Sequence, residues 1–142
     1  MFVGYQNELK SFIAETREEL ENMPMVKFTS IEEVPFAEMY NGVIYDDEEE
    51  LVKAKQDYVR SIRNDYLVEY VDGAVSNPLR WADMSQELRD MYTNYRQYLL
   101  DYTETENWWE QTPKTLDEWK QSEEEDAYVG GNTEVAGEED NV

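Results

Sequence analysis

The sequence predicts a mainly helical α+β fold, and three observations carry that prediction. Apolar residues recur at three- and four-residue steps in two long runs, Glu48–Tyr70 and Met84–Tyr102, which is typical of amphipathic helices. An Asn41-Gly42 pair separates two short β-prone runs, which indicates a hairpin. A third helical pattern covers Tyr5 to Asn22, and 142 residues are enough to bury a modest core.

The N-terminal helix is predicted because apolar or small residues fall on one face at helical spacing. These residues are Leu9, Phe12, Ile13, Thr16 and Leu20. Pro24 is expected to end the helix, since proline disfavours helical geometry in the residue before it.

The next element, Pro35 to Tyr45, is predicted as a small β-hairpin with Asn41-Gly42 in its turn. Both residues tolerate the positive φ that a type I′ turn requires. Two strands alone are marginal in water, so a helix, a third strand or a partner must cover them.

The acidic run Asp46–Glu50 could be a cation site or the start of a helix. It lacks the alternating ligand spacing and central glycine of an EF-hand loop. Carboxylates are favourable at the positive end of a helix dipole. The run is therefore interpreted as the start of the next helix.

The two long helices are predicted to form an antiparallel pair. The first, from about Glu48 to Tyr70, is expected to end at Asp72-Gly73, because glycine commonly follows a helix end. A short loop, Ala74–Asp83, should lead to the second helix, Met84–Tyr102, with Ser85 as its N-cap. The apolar stripe of this second helix contains Leu88, Met91, Tyr92, Tyr95, Leu99 and Tyr102.

The C-terminal part divides into an irregular tryptophan-rich segment and an acidic tail. Trp108, Trp109 and Trp119 lack helical spacing, and the chain from Gln121 onward carries carboxylates without a base, a composition typical of flexible tails. The predicted organisation is an N-terminal region over residues 1–46, a helical hairpin over 47–120 and an acidic tail over 121–142.

Charge narrows the class of partner. Thirty-four acidic residues against 12 basic ones give a formal net charge of −22 and a pI near 4.1. A nucleic-acid binder needs basic side chains to neutralise phosphates, and an anionic membrane would repel this chain. We therefore expect no nucleic acid and no membrane as partner. The charge indicates either a basic protein partner or simply a soluble chain whose copies repel one another, and a well-solvated acidic surface is the favoured interpretation.

The absence of cysteine and histidine removes much catalytic chemistry. Disulfides, thiolate nucleophiles, ordinary zinc sites and histidine acid–base catalysis are all excluded. Paired carboxylates remain, but none lies in a recognisable cleft pattern. We expect no enzyme, no cofactor and no metal, and no run approaches the ~18–20 apolar residues of a membrane span.

Aromatic residues make up 13% of the chain, including 11 Tyr and 4 Trp. Such side chains are enriched both in cores and in protein interfaces. Tyr58, Tyr66, Tyr92 and Tyr95 are interpreted as core residues. Trp108 and Trp109 are adjacent in an irregular segment, so at least one is expected to meet a partner.

Two separated stretches resemble the bacteriophage tail assembly chaperone family, which is related to tail-fibre assembly proteins. That family shows an R-x-x-R-N/D-x-L-L…D motif followed by Y-R-Q-x-L-R-D. The matching residues are Arg60-Ser61-Ile62-Arg63-Asn64-Asp65-Tyr66-Leu67, then Asp72, then Tyr95-Arg96-Gln97-Tyr98-Leu99-Leu100-Asp101. The resemblance covers Lys55 to Trp119, with Leu100 in place of the usual arginine and Gly73 in place of an aromatic residue.

The resemblance implies a non-catalytic protein that binds a phage tail or tail-fibre protein in the host cytoplasm during assembly. Alternatives are a structural protein of the virion tail and, less favoured, an acidic DNA mimic that inhibits a nucleic-acid-binding protein. The motif arginines could instead bridge carboxylates and fasten the two helices together. The candidate binding or motif residues are Arg60, Arg63, Asn64, Asp72, Tyr95, Arg96, Gln97, Asp101, Trp108 and Trp109.

Overall fold

The computed structural model describes residues 1–127 and has the α+β class predicted from the sequence. It divides inside a long helix into two compact units, Met1–Asp57 and Tyr58–Val142. The elements of the first unit are β1 (Phe2–Gln6), β2 (Leu9–Ala14), α1 (Arg17–Glu21), β3 (Ser30–Glu33), β4 (Glu38–Tyr40), β5 (Val43–Tyr45) and the start of α2 (Glu48–Tyr66). After α2 come a π-helical segment (Leu67–Asp72), α3 (Gly73–Val75), α4 (Pro78–Asp83), α5 (Gln86–Asp101), 3₁₀ turns at Tyr102–Glu104 and Trp108–Glu110, and α6 (residues 116–127).

The predicted N-terminal helix over Tyr5 to Asn22 is wrong, because this stretch forms the antiparallel β1–β2 hairpin and only a short helix, α1. Asn7 adopts a φ of 60° in the connecting turn, a left-handed conformation that asparagine tolerates better than most residues. The apolar spacing fits a helix. In the structure, however, the backbone N–H and C=O groups of β2 form hydrogen bonds with β1, and the periodicity of one segment does not reveal such pairing with another.

The three-stranded antiparallel sheet has the order β2-β1-β3, and Gly4 lies in its central strand. The β1–β2 pairing is irregular at Gly4 and Tyr5. A Cβ atom at position 4 would lie 2.6 Å from ring carbons of Phe28, and the Phe28 ring in turn packs edge-on against Phe12 at 5.7 Å. A larger residue at position 4 would therefore force the Phe28 ring to shift.

The predicted hairpin around Asn41-Gly42 is confirmed as β4 and β5. Asn41 and Gly42 have φ values of 48° and 79°, as a type I′ turn requires. Helix α2 covers the hairpin through Lys55, whose ammonium group lies 5.8 Å from the Tyr40 ring centroid and 3.8 Å from a Glu38 carboxylate oxygen.

The acidic run before α2 contributes to the helix start, as interpreted from the sequence. The Asp47 carboxylate accepts a 2.9 Å hydrogen bond from the backbone N–H of Glu49, in the first turn. The Asp46 carboxylate lies 2.8 Å from the Lys10 ammonium, which links β2 to the residue after β5. Both contacts give these carboxylates structural partners.

The end of the first long helix and the following loop differ from the prediction. Gly73 has a right-handed helical φ of −63°, so the helical path continues through the π-helical segment into α3. Residues 78–83, expected in a loop, form α4, because the Asn77 side chain caps the N–H groups of Leu79 and Arg80 and Pro78 fits a first helical turn.

Helix α5 forms as predicted, with the Ser85 hydroxyl accepting a 3.2 Å hydrogen bond from the N–H of Leu88. The acidic tail was predicted to begin at Gln121, but residues 121–127 continue α6. This helix starts at a reciprocal capping box, in which Thr115 and Glu118 each accept the other's backbone N–H. Residues 128–142 of the predicted tail lie outside the described residues.

Candidate functional site

The centre of the second unit is a tyrosine-rich core around Tyr95. Its side chain has 0% exposure and forms one buried cluster with Val71, Leu99 and Trp119. The Tyr95 ring centroid lies 5.5 Å from that of Trp119 and 6.3 Å from that of Tyr70. The core interpretation is therefore confirmed for Tyr95, and it is wrong for Tyr58, which is 44% exposed.

Three tyrosines of α5 and the turn after it fasten the segment that precedes α6. The Tyr95 phenol donates to the Lys114 carbonyl at 2.8 Å, and the Tyr98 phenol oxygen accepts from the Lys114 N–H at 2.8 Å. The Tyr102 phenol donates to the Gln111 carbonyl at 2.9 Å. Positions 95, 98 and 102 share one helical face, so the spacing could have indicated the set, but its backbone partners are not visible in sequence.

Burial raises the pKa of Tyr95, with smaller contributions in the same direction from Tyr70 and Tyr98. The pKa of Tyr98 is also raised, mainly by burial, although the hydrogen bond from Lys114 opposes the shift. Burial likewise raises the pKa of Tyr102. These phenols therefore act as neutral hydrogen-bonding groups that fix the chain.

The first half of the sequence motif meets the tryptophan pair. The Arg60 guanidinium lies over the Trp108 ring at 5.0 Å from its centroid, a cation–π geometry. Trp108 is 8% exposed and packs at 86° to Trp109, with centroids 5.8 Å apart. The Trp109 indole nitrogen is buried without a hydrogen-bond partner among the described residues.

The other polar motif residues lie on or near the surface. Arg63 donates twice to the neighbouring Asn64 side chain, at 3.0 and 3.1 Å, and the Gln97 amide donates to Asp101 at 2.9 Å. Arg96 and Asp72 are exposed.

The arginine bridges considered from the sequence do not form within residues 1–127, where neither Arg63 nor Arg96 makes an ion pair. Arg96 and Asp101 are five positions apart, which does not bring them to one helical face. Arg63 instead finds its acceptor on the adjacent Asn64.

A cavity of about 420 Å³ opens beside the tryptophan pair, between the 3₁₀ turns. We call it the 102–111 cavity. Asn107, which adopts a left-handed φ of 54°, leads the chain into the turn that contains Trp108. The cavity is lined by Tyr102, Thr105, Glu106, Asn107, Trp108, Glu110 and Gln111. It was not anticipated from the sequence, because it depends on how the Tyr102–Gln111 contact folds the segment back.

Among residues 1–127, no group of three or more carboxylates is placed to hold a metal ion. In the same part of the chain, no helix combines the length and apolar character needed to cross a bilayer.

Comparisons with protein-family models, with curated proteins and with solved structures find no match to this chain.

Proposed function

We propose that this chain is a non-catalytic assembly chaperone of the phage tail type, which binds a tail or tail-fibre protein. The sequence support is the two-part motif with its arginine-rich first half and its Tyr95-Arg96-Gln97 second half. The observation that carries the proposal is that the second half of the motif contains one buried residue and several exposed polar residues. Tyr95 is wholly buried, whereas Arg96, Gln97 and Asp101 are exposed on the same helix.

This division supports partner binding because the exposed residues are not used to hold the core. The opposite face of α5 is already fixed by Leu99, Trp119 and the tyrosine hydrogen bonds to Lys114. Charged and amide groups on a rigid helix can position a partner at little cost in conformational entropy. We keep as the proposed binding element the pair of long helices predicted from the sequence, Glu48–Tyr70 and Met84–Tyr102.

The net charge of −22 supports a chaperone-like role. A strongly acidic protein repels its own copies and stays soluble while it covers basic or adhesive surfaces of a client. The proposed location is the host cytoplasm during tail assembly. A chain that stays in the finished particle would instead be a structural protein of the tail.

Affinity purification of the tagged chain from phage-infected cells tests the proposal. We expect a tail or tail-fibre protein as the main partner. The double variant Gln97→Ala/Asp101→Ala should reduce its recovery. The matched control is Gln86→Ala/Asp90→Ala, because this pair forms the same i,i+4 amide–carboxylate hydrogen bond, at 2.7 Å, in the first turns of α5. Equal recovery with both variants would contradict the assignment of this surface.

The acidic DNA mimic makes a different prediction. Its binding should depend on total negative charge, so removing residues 128–142, with Glu134, Glu138, Glu139 and Asp140, should weaken it. A chaperone that binds through α5 should retain its client after this truncation. Recovery of a nucleic-acid enzyme as the main partner would overturn the chaperone proposal.

A further inference from the structure

We propose that strand β3 binds a basic extended segment of a partner protein, which adds to the β2-β1-β3 sheet as a fourth strand. The inference rests on the proposed function, since the partner that it describes is a protein client. It concerns a surface of the first unit, whereas Arg96, Gln97 and Asp101 belong to the second. It therefore adds a surface that the two-part motif does not contain.

The outer side of β3 follows from the register of its pairing with β1. The Val34 N–H donates to the Met1 carbonyl at 2.8 Å, so these two residues form a hydrogen-bonded pair just beyond the strand ends. In an antiparallel ladder, such pairs alternate with pairs that exchange no hydrogen bonds. Ile31 and Glu33 therefore direct their backbone N–H and C=O groups away from β1, to the outer side of a strand at the edge of the sheet.

This outer side is open for pairing. Within residues 1–127, the hydrogen bond to it comes from the Arg17 guanidinium, which donates to the Ile31 carbonyl at 3.3 Å. The Ile31 N–H, the Glu33 N–H and the Glu33 carbonyl remain, and we call these three groups the β3 edge. Unpaired groups of an edge strand form a template for another strand, and strand addition is a recurring mode of peptide binding.

A cavity of about 280 Å³ beside Ile31 can take an apolar side chain of the added strand. It is lined by Leu20, Glu21, Val26, Lys27, Phe28 and Ile31. Residues that pair across two strands carry their side chains on the same face of the sheet, so a residue opposite Ile31 would face this cavity. Pockets of this kind give strand addition its side-chain specificity.

Charge decides which segment fits the β3 edge. Glu32 and Glu33 are exposed on β3, and residues 15–33 contain six acidic side chains and two basic ones. One of the basic side chains, Arg17, lies 4.0 Å from Glu21. A second copy of this chain would bring like charges together, whereas lysine or arginine side chains would complement the strand. The occupant is therefore a basic segment with apolar residues at alternate positions.

Titration of the intact 142-residue chain with the peptide acetyl-Lys-Val-Lys-Val-Lys-Val-amide tests the proposal. The control peptide has the same side chains and carries a methyl group on every backbone nitrogen. Two-dimensional NMR should show shifts of the amides of residues 30–34, and hydrogen exchange at Ile31 and Glu33 should slow at least tenfold at saturation. The unmethylated peptide should bind at least tenfold more tightly, because it alone can donate hydrogen bonds to the β3 edge. Equal affinity for the two peptides, or shifts that avoid residues 30–34, would overturn the inference.

Two variants of one residue separate strand addition from general attraction to an acidic protein. Glu33→Pro removes an outward N–H and spares the β1–β3 hydrogen bonds, since proline is tolerated where the N–H of an edge strand faces solvent. Glu33→Gln removes the same charge and keeps the N–H. With folding checked by circular dichroism, Glu33→Pro should weaken the unmethylated peptide at least tenfold more than Glu33→Gln does. Equal losses would mean that charge alone attracts the peptide, and the β3 edge would be rejected. If Glu33→Pro does not fold, the comparison of the two peptides on the parent chain decides.

Client capture distinguishes failure of this inference from failure of the proposed function. Undiminished recovery of a tail protein by folded Glu33→Pro would reject the β3 edge as the docking site and leave the chaperone role standing. Binding of the unmethylated peptide at residues 30–34, without any tail protein in the purification, would reject the chaperone role and keep the β3 edge.

Discussion

The phenol of Tyr95 donates a 2.8 Å hydrogen bond to the backbone carbonyl of Lys114, 19 residues further along the chain. Tyr98 accepts from the N–H of the same Lys114 at 2.8 Å, so both polar groups of one residue's backbone are bonded to α5. A motif residue that could have served a partner thus holds the fold together. Removing the phenol oxygen of Tyr95 or Tyr98 should therefore lower the stability of the second unit.

Tyr95→Phe should lower the free energy of unfolding by about 1 kcal/mol, because it removes a donor and leaves the Lys114 carbonyl without that partner. Urea denaturation followed by circular dichroism measures the change. Tyr92→Phe is the matched control, since Tyr92 lies on the same helix and outside the core cluster, and it should have little effect. Equal destabilisation by both substitutions would contradict the role of the hydrogen bond.

Arg96→Ala should leave the free energy of unfolding within about 0.5 kcal/mol of the parent, as expected for an exposed side chain. Client recovery should fall in the same variant. A large loss of stability in Arg96→Ala with unchanged client binding would favour a purely structural role for this motif residue.

Arg60→Ala should lower the free energy of unfolding by roughly 0.5–1 kcal/mol, because it removes the cation–π contact with Trp108.

Gly4→Ala and Gly73→Ala should shift stability in opposite directions. The new methyl group at position 4 would lie 2.6 Å from Phe28 ring carbons and should cost about 1–3 kcal/mol. At position 73 nothing lies within 4 Å of the new Cβ and the backbone is helical, so alanine should stabilise by about 0.5–1 kcal/mol. Thermal melts by circular dichroism compare the two, and a stabilised Gly4→Ala would contradict the close packing.

Alkaline pH should destabilise the protein. Burial raises the pKa of Tyr95, Tyr98 and Tyr102 above the ordinary value of 10.0. The folded state therefore holds these protons more tightly than the unfolded state. The stability that these phenols contribute is fully present below pH 10 and is lost as the pH rises above that value. Ultraviolet titration of tyrosinate absorbance should show these phenols ionising only as the chain unfolds. Ionisation of every tyrosine near pH 10 without unfolding would contradict this.

Thr115→Ala should lower stability by about 1 kcal/mol, since it removes the hydroxyl that caps α6 through the N–H of Glu118. Thr112→Ala is the control, because Thr112 is exposed and outside the helix. Hydrogen exchange of the first amides of α6 gives a local measurement. Unchanged protection in Thr115→Ala would show that the capping box is not needed.

Caps and turn residues in the sequence predicted the elements that depend mainly on neighbouring residues. Ser85 with the apolar stripe indicated α5, and Asn41-Gly42 indicated the β4–β5 turn, because a cap and a positive φ depend on few neighbours. The β1–β2 hairpin was missed because its helical spacing competed with a single turn residue, Asn7. The Asp72-Gly73 pair predicts a helix end, but glycine also adopts right-handed helical angles, as Gly73 does here.

The candidate site could be predicted only in part, because its contacts join residues that are distant in sequence. The sequence singles out Tyr95, Arg60 and Trp108 by residue type, but it does not predict that the Arg60 guanidinium stacks on the Trp108 ring. The bonds from Tyr95 and Tyr98 end on backbone atoms of Lys114, and any residue type supplies those atoms. The 102–111 cavity depends on the same fold-back of the chain, so residue identities alone do not reveal it.

The division of the chain has an optical consequence. All four tryptophans, at positions 81, 108, 109 and 119, belong to the unit that begins at Tyr58, and Met1–Asp57 contains none. Tryptophan emission therefore reports melting of the aromatic core and does not register loss of the β2-β1-β3 sheet. Overlaying an emission curve on a far-ultraviolet curve would reveal whether the two halves melt in one cooperative step or separately.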